Sequence, residues 1–160
     1  MTCEKGLPVL LRLAKEFPDQ KFLVAGDGPL QPTLDEAAAT HPNVHALGRL
    51  KREETVEMLG SIKYLLIPSL GMENNPMIIL EAFARGTPVI GSSRGGIPEL
   101  LEGGKGFLFD PSSEESTVSV FRKAMEADER TWSEMSGRCL SWATDNSEEH
   151  YIRRLAELLS

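Results

Sequence analysis

Apolar residues fall along the chain in two kinds of block. Some are short continuous runs: Lys21 to Ala25 (Phe22-Leu23-Val24-Ala25), Val44 to Leu47, Tyr64 to Ile67, Pro88 to Gly91 and Gly106 to Phe109. Others recur at helical spacing, as Leu7, Leu10, Leu11, Leu13 and Ala14 do before Pro18. The runs predict strands covered on both faces. The periodic blocks predict helices from Lys5-Gly6, over Leu30 to Thr40, over Glu53 to Ile62, from Pro76 and over Pro98 to Leu101. From Ser113 the chain reads as a helical tail, roughly 113–127, 130–142 and 147–159, with Ser147 as the cap of the last. In that last helix Tyr151, Ile152, Leu155, Leu158 and Leu159 form an apolar stripe. Strand and helix alternate five times with short connections. That alternation predicts an α/β fold: a Rossmann-like, doubly wound parallel sheet of about five strands with helices on both faces.

Such sheets bind ligands beyond the carboxyl ends of their strands. The loops that matter therefore begin at Gly26, Gly48, Pro68 and Gly91. The third is the most informative. After the run at Tyr64 to Ile67, Pro68 breaks the strand and Ser69 to Asn75 form a polar loop holding Glu73. Asn75 suits a helix N-cap and Pro76 a first helical position. Glu81 then sits on a helix face beside Met77, Ile78 and Ala84, where a carboxylate costs free energy unless something binds it. Two acids around one helix start fit a small-molecule site. They fit equally a dipole preference for acids and a Glu81–Arg85 pair.

Other loops carry weaker signals. Gly26-Asp27-Gly28-Pro29 follows a strand, so a backbone cradle for phosphate is conceivable there, although such turns are mostly just turns. Gly95-Gly96 either approach a ligand or reverse the chain. Lys5 opens a helix against the dipole preference, as a phosphate-holding lysine would and a solvated one could. Arg49 stands in another ligand-facing loop or is simply a surface cation. Glu99, in a helix's first turn, is accounted for by the dipole.

Composition narrows the classes. The chain has 160 residues, 41% hydrophobic and 26% charged, enough for one domain with a core. The net charge of −7 without a basic cluster argues against a nucleic-acid partner. Cys3 and Cys139 set no metal or disulfide spacing, and His41, His45 and His150 form no ligand set or triad, so no metal site is expected. No run approaches ~18 apolar residues, the length needed to span a membrane. A cytoplasmic location is expected, or a peripheral one at the inner face of a membrane.

Taken in order, the motifs resemble family 4 (group 1) retaining glycosyltransferases of the GT-B fold. The resemblance rests on Glu73, seven intervening residues, Glu81-Ala82-Phe83-Ala84 and Gly86-Thr87-Pro88-Val89-Ile90, then Gly95-Gly96-Ile97-Pro98-Glu99. It extends to Lys5-Gly6, Val24 to Pro29, Pro42-Asn43-Val44, Leu47-Gly48-Arg49, Gly106 to Phe109 and Pro111. It implies that the whole chain, 1–160, is a C-terminal, donor-binding domain for a nucleotide-diphosphate sugar carrying UDP, GDP or ADP. No cofactor is implied. Glu73 would hold donor-sugar hydroxyls, Glu81 the ribose hydroxyls, and Lys5 the diphosphate. Asn75 and the amides of Met77 and Ile78 would receive the phosphates, Arg49 and Leu50 would lie against the base, and Gly26 and Gly28 would line the site. The acceptor, a glycan or a lipid-linked group, would bind an N-terminal domain outside this sequence.

Two departures qualify this. The family places an arginine a few residues ahead of the lysine, on or after a first strand, and it places an acceptor-binding domain before this one; this sequence shows neither. In the order 3-2-1-4-5-6 that first strand is central, so the strands at 22–25 and 64–67 are expected to flank a gap. A fragment, marginally stable alone, is therefore expected. The alternatives are a non-catalytic nucleotide-sugar-binding module or inactive fragment, and a related GT-B enzyme such as a sugar-nucleotide epimerase or a glycogen synthase-like protein.

Overall fold

The structure, a computed structural model, describes residues 3–147. A 3-10 turn, Cys3–Lys5, leads into α1 (Leu7–Glu16), β1 (Phe22–Ala25), α2 (Gln31–Thr40), β2 (Val44–Gly48), α3 (Arg52–Ser61) and β3 (Leu65–Ile67). There follow α4 (Met77–Phe83), β4 (Val89–Ser92), α5 (Ile97–Leu101), β5 (Gly106–Phe109), α6 (Glu114–Glu126) and α7 (Glu129–Asp145). The expected helix at 147–159 and its apolar stripe lie outside the described residues, apart from Ser147.

All strand pairs are parallel. β1 pairs with β2, and β3, β4 and β5 form a second sheet in that order. Among the described residues no strand joins the two. β1 and β3 instead flank one cavity, lined by Phe22 to Ala25 on one side and Leu65 to Ile67 on the other. The gap expected between the strands at 22–25 and 64–67 is therefore present.

The helices cover both faces, and adjacent residues of β4 prove it. Val89 packs with Leu59, Ile79, Phe83, Leu101 and Cys139, from α3, α4, α5 and α7. Ile90 packs with Leu13, Phe22, Leu34, Phe109 and Phe121, from α1, α2, α6 and the strands. Successive side chains of a strand point to opposite faces, so these clusters are the two sides of one layer. The Val89 cluster is tightened by Phe83 against Trp142, 5.4 Å between centroids. The Ile90 cluster is tightened by Phe121, whose ring lies 4.7 Å from Phe17 and 5.5 Å from Phe22.

Helix ends follow local chemistry. Ser113 accepts from the Ser116 amide at the start of α6, and Asp128 from the Thr131 amide at the start of α7. Asn43 Nδ2 donates to the carbonyls of Ala14, Phe17 and Gln20, tying the end of α1 to the approach of β2. Two expectations change. Lys5 ends the 3-10 turn rather than opening α1, because Gly6 turns left-handed (φ +78°) ahead of Leu7. Asn75 does not cap α4: Pro76 holds the cap position in extended conformation, without a side-chain hydrogen bond, and the helix begins at Met77.

Candidate functional site

The cavity between β1 and β3 has a volume of about 740 Å³ and reaches the carboxyl ends of the strands. Its rim there brings together Lys5, Gly26, Arg49, Leu50, Glu73 and Ile78. Five separate stretches of the chain converge on it. Gly28, Asn75, Met77 and Glu81 do not line it. Gly28 and Asn75 are exposed, and Met77 is 61% exposed.

Glu73 is the most constrained of these groups. Its Oε1 lies 2.6 Å from Lys5 Nζ and accepts a 2.8 Å hydrogen bond from Ser69 Oγ, a buried hydroxyl. Burial pushes the Glu73 carboxyl up, but the hydrogen bonds from Lys5 and Ser69, with the lysine charge, outweigh it and hold the carboxyl below its ordinary range. The two partners differ in exposure: the Glu73 side chain is 16% exposed and the Lys5 side chain 60%. The acid is mostly covered and the cation largely exposed.

Backbone contacts hold the Glu73 loop from two sides. On one, the Glu4 carbonyl accepts from the amides of Leu70 and Gly71, and Gly6 lies so close that a Cβ there would sit 1.7 Å from the Pro68 carbonyl oxygen. On the other, the Gly96 amide donates to the Glu73 carbonyl at 2.7 Å. A Cβ on Gly95 (φ +56°) would sit 2.0 Å from that oxygen, and one on Gly96 2.3 Å from the Asn74 carbonyl oxygen. The close approach that two glycines permit is thus made to the Glu73–Asn74 backbone.

Arg49 Nη1 lies 3.9 Å from Asp27 Oδ2, with both side chains largely exposed, a weak pair. Glu81 is half-buried; its side chain has no hydrogen bond or ion pair with any described residue and does not pair with Arg85. The amides of Met77 and Ile78 occupy the first two positions of α4, where no intrahelical acceptor exists. Sequence reasoning missed Ser69 and Asp27. Nothing in their spacing distinguishes them from ordinary loop residues; only the folded loop brings Ser69 under Glu73.

Cys139 is buried and its thiol is pushed up to about 12 by burial, which leaves it unreactive. Among the described residues no three His, Cys, Asp or Glu side chains are grouped to hold a metal ion, and no helix is long and apolar enough to cross a membrane.

The sequence profile of the glycosyl transferases group 1 matches residues 1–136. The chain is 32% identical to the sulfoquinovosyl transferase SQD2 of Arabidopsis thaliana, an alignment covering 74% of this chain and 24% of that protein. It is 28% identical to the putative colanic acid biosynthesis glycosyltransferase WcaL of Salmonella typhimurium, over 99% of this chain and 43% of that one. Among solved structures, Anabaena HepE in complex with UDP and glucose superposes with a TM-score of 0.79 at 20% identity, over 99% of this chain and 46% of that chain. The sucrose-phosphate synthase of Thermosynechococcus elongatus superposes with a TM-score of 0.82 at 19% identity, over 99% and 42%. The fold is that of a Rossmann-like half of a GT-B glycosyltransferase. The chain belongs to the glycosyl transferases group 1. It spans about a quarter to under half the length of these relatives.

Proposed function

We propose that the chain is the donor-binding domain of a retaining, metal-independent hexosyltransferase that uses a nucleotide-diphosphate sugar. The observation that carries this reading is the Lys5–Glu73 pair at the carboxyl ends of the strands, an exposed cation beside a mostly covered acid. That the structural neighbour HepE is solved in complex with UDP and with UDP-glucose supports a nucleotide-sugar as the ligand.

In this reading an arriving diphosphate draws Lys5 away from Glu73. The lysine is exposed enough to turn at little cost, and it meets two phosphate charges in place of one carboxylate. The amides of Met77 and Ile78 face the same phosphates. Glu73 keeps its hydrogen bond from Ser69 and turns its freed oxygens to hydroxyls of the sugar. Glu81, half-buried without a described partner, accepts from the ribose hydroxyls, and the base lies along Arg49 and Leu50. Gly26 forms part of the floor; Gly28 and Asn75, exposed and outside the cavity lining, meet the donor only at its outer edge.

Transfer breaks the bond between the anomeric carbon and the diphosphate oxygen and forms one to an acceptor oxygen on the same face. The acceptor's proton passes to the departing phosphate. Negative charge grows on that diphosphate, where Lys5 and the α4 amides, already oriented, lower the barrier. The acceptor, a glycan or lipid-linked group, binds a separate N-terminal domain of the whole enzyme.

Calorimetric titration of UDP-, GDP- and ADP-sugars tests the reading. Saturable binding of at least one, weakened by Lys5→Met, supports it. Binding of none contradicts it.

A further inference from the structure

The Gly95-Gly96 loop reaches the Glu73 backbone, and its own support comes from one side chain. The strand before it ends where the Ser93 amide donates to the Phe109 carbonyl of β5, and the helix after it starts at buried Ile97. Between those points lie Arg94, Gly95 and Gly96. Two of the three have no side chain and are the residues freest in conformation. Any side-chain anchor for the stretch therefore falls to Arg94. Its Nη2 donates to Ser112 Oγ at 3.0 Å. Its Nε is buried and has no acceptor among the described residues. An arginine left to itself carries that nitrogen into water, so the guanidinium is held in place at some cost.

The anchor is itself tied down. Ser112 Oγ donates to Asp110 Oδ1 at 2.6 Å, and the Ser112 amide donates to the same oxygen at 2.9 Å. Those two hydrogen bonds hold the Asp110 carboxyl below its ordinary range, and the Arg94 charge adds to them. The Asp110 amide donates to Ser116 Oγ at 3.0 Å, and Thr117 Oγ1 donates to the Asp110 carbonyl at 3.4 Å, so the turn between β5 and α6 is fastened to α6. At the other end, the Gly96 amide donates to the Glu73 carbonyl at 2.7 Å. Met72, Asn74 and Asn75 around Glu73 are exposed, so packing does little to hold that loop. A path of contacts thus runs from α6 through Asp110, Ser112 and Arg94 to the backbone of Glu73.

We propose that Arg94 is a positioning residue for Glu73. Held by Ser112, it sets the Gly95-Gly96 loop, and the Gly96 amide sets the Glu73 backbone so that the carboxylate meets Ser69 and Lys5. Losing the tether lets the loop withdraw, and Glu73 Oε1 parts from its two donors. Arg94 acts through this backbone and not through its charge on the carboxylate. That the placed acid serves sugar transfer rests on the function proposed above; the placement itself does not.

The test follows the Glu73 carboxyl midpoint by carbon NMR in the 160-residue chain, without nucleotide. Wild type is compared with Arg94→Ala, with the double variant Asp110→Ala/Ser112→Ala, and with Asn43→Ala, which loosens the fold at the amino end of β2. Asp110 and Ser112 are exposed, so the double variant leaves the core intact and keeps the Arg94 charge. It also removes a negative charge, which by itself moves the Glu73 midpoint down. The midpoint is expected to rise toward its ordinary value of 4.5 in Arg94→Ala and in the double variant, and to stay put in Asn43→Ala. A rise in Arg94→Ala alone is the direct loss of a cation and overturns the inference. So does a midpoint that moves in neither, or one that rises as far in Asn43→Ala. Failure here leaves the donor-site reading standing, and failure of the nucleotide titration leaves this placement standing.

Discussion

Glu73 Oε1 sits 2.6 Å from Lys5 Nζ and 2.8 Å from Ser69 Oγ, so one carboxylate oxygen joins the N-terminal turn to the loop after β3. The link spans 68 residues of sequence and has one exposed end. An ion pair kept for stability alone would gain little from a lysine this exposed. An ion pair that must exchange partners gains from that exposure.

The carboxyl of Glu73 is predicted to titrate below its ordinary value of 4.5. A folded-state value below the unfolded one contributes stability that is complete above the unfolded value and lost as pH falls through the folded one. The loss therefore falls below about pH 4.5. Carboxyl-carbon NMR titration checks it: Ser69→Ala and Lys5→Met should each move the Glu73 midpoint upward. A midpoint that stays put in both variants contradicts the assigned causes.

Gly95→Ala and Gly96→Ala press a Cβ into the Glu73–Asn74 backbone, and the first also strains a left-handed residue. Each is expected to destabilise the chain by about 1–3 kcal/mol or to displace the loop. Thermal unfolding together with the Glu73 titration reads both outcomes. Unchanged stability with an unchanged midpoint would show that the contact does not matter.

Asn43→Ala removes one donor from three carbonyls at the end of α1. The expected cost is about 1–3 kcal/mol, since the half-buried oxygens lose their partner. Denaturant unfolding measures it. A change below about 0.5 kcal/mol, the size of ordinary surface substitutions, would mean that water replaces the amide.

Much of the fold is legible in the sequence because continuous apolar runs such as Phe22 to Ala25 suit only strands covered on both faces. The gap beside that run was legible too, since the doubly wound order places a strand where the described residues show none. Helix starts were less so. Asn75-Pro76 reads as a cap and a first helical residue, but Pro76 takes the cap position and Asn75 is left exposed. At the site, Glu81 and Lys5 stood out, an acid on an apolar helix face and a cation at an expected helix start, with Glu73 beside them only as the second acid of the pair. Ser69 did not, because its role depends on a loop conformation that no periodicity encodes. Gly95-Gly96 showed that a close approach was needed, though not to what; the partner is another loop's backbone.

In a longer enzyme Glu73→Gln is expected to lower turnover by about a hundredfold or more, in the range for losing an interaction made at the reacting centre, with nucleotide affinity unchanged. Steady-state kinetics alongside nucleotide titration separate the two. Preserved turnover with lost nucleotide binding would reverse the assignment of Glu73 to the sugar.

The most direct test of the donor-site account is the affinity of nucleotide-sugars for the wild-type chain and for Glu81→Gln. Glu81 is half-buried with no partner among the described residues, and the account gives it the ribose hydroxyls. The variant is predicted to bind the preferred nucleotide-sugar about 10- to 100-fold more weakly, the size of losing a hydrogen bond to a charged group. Equal affinity of both proteins for every nucleotide-sugar would contradict it.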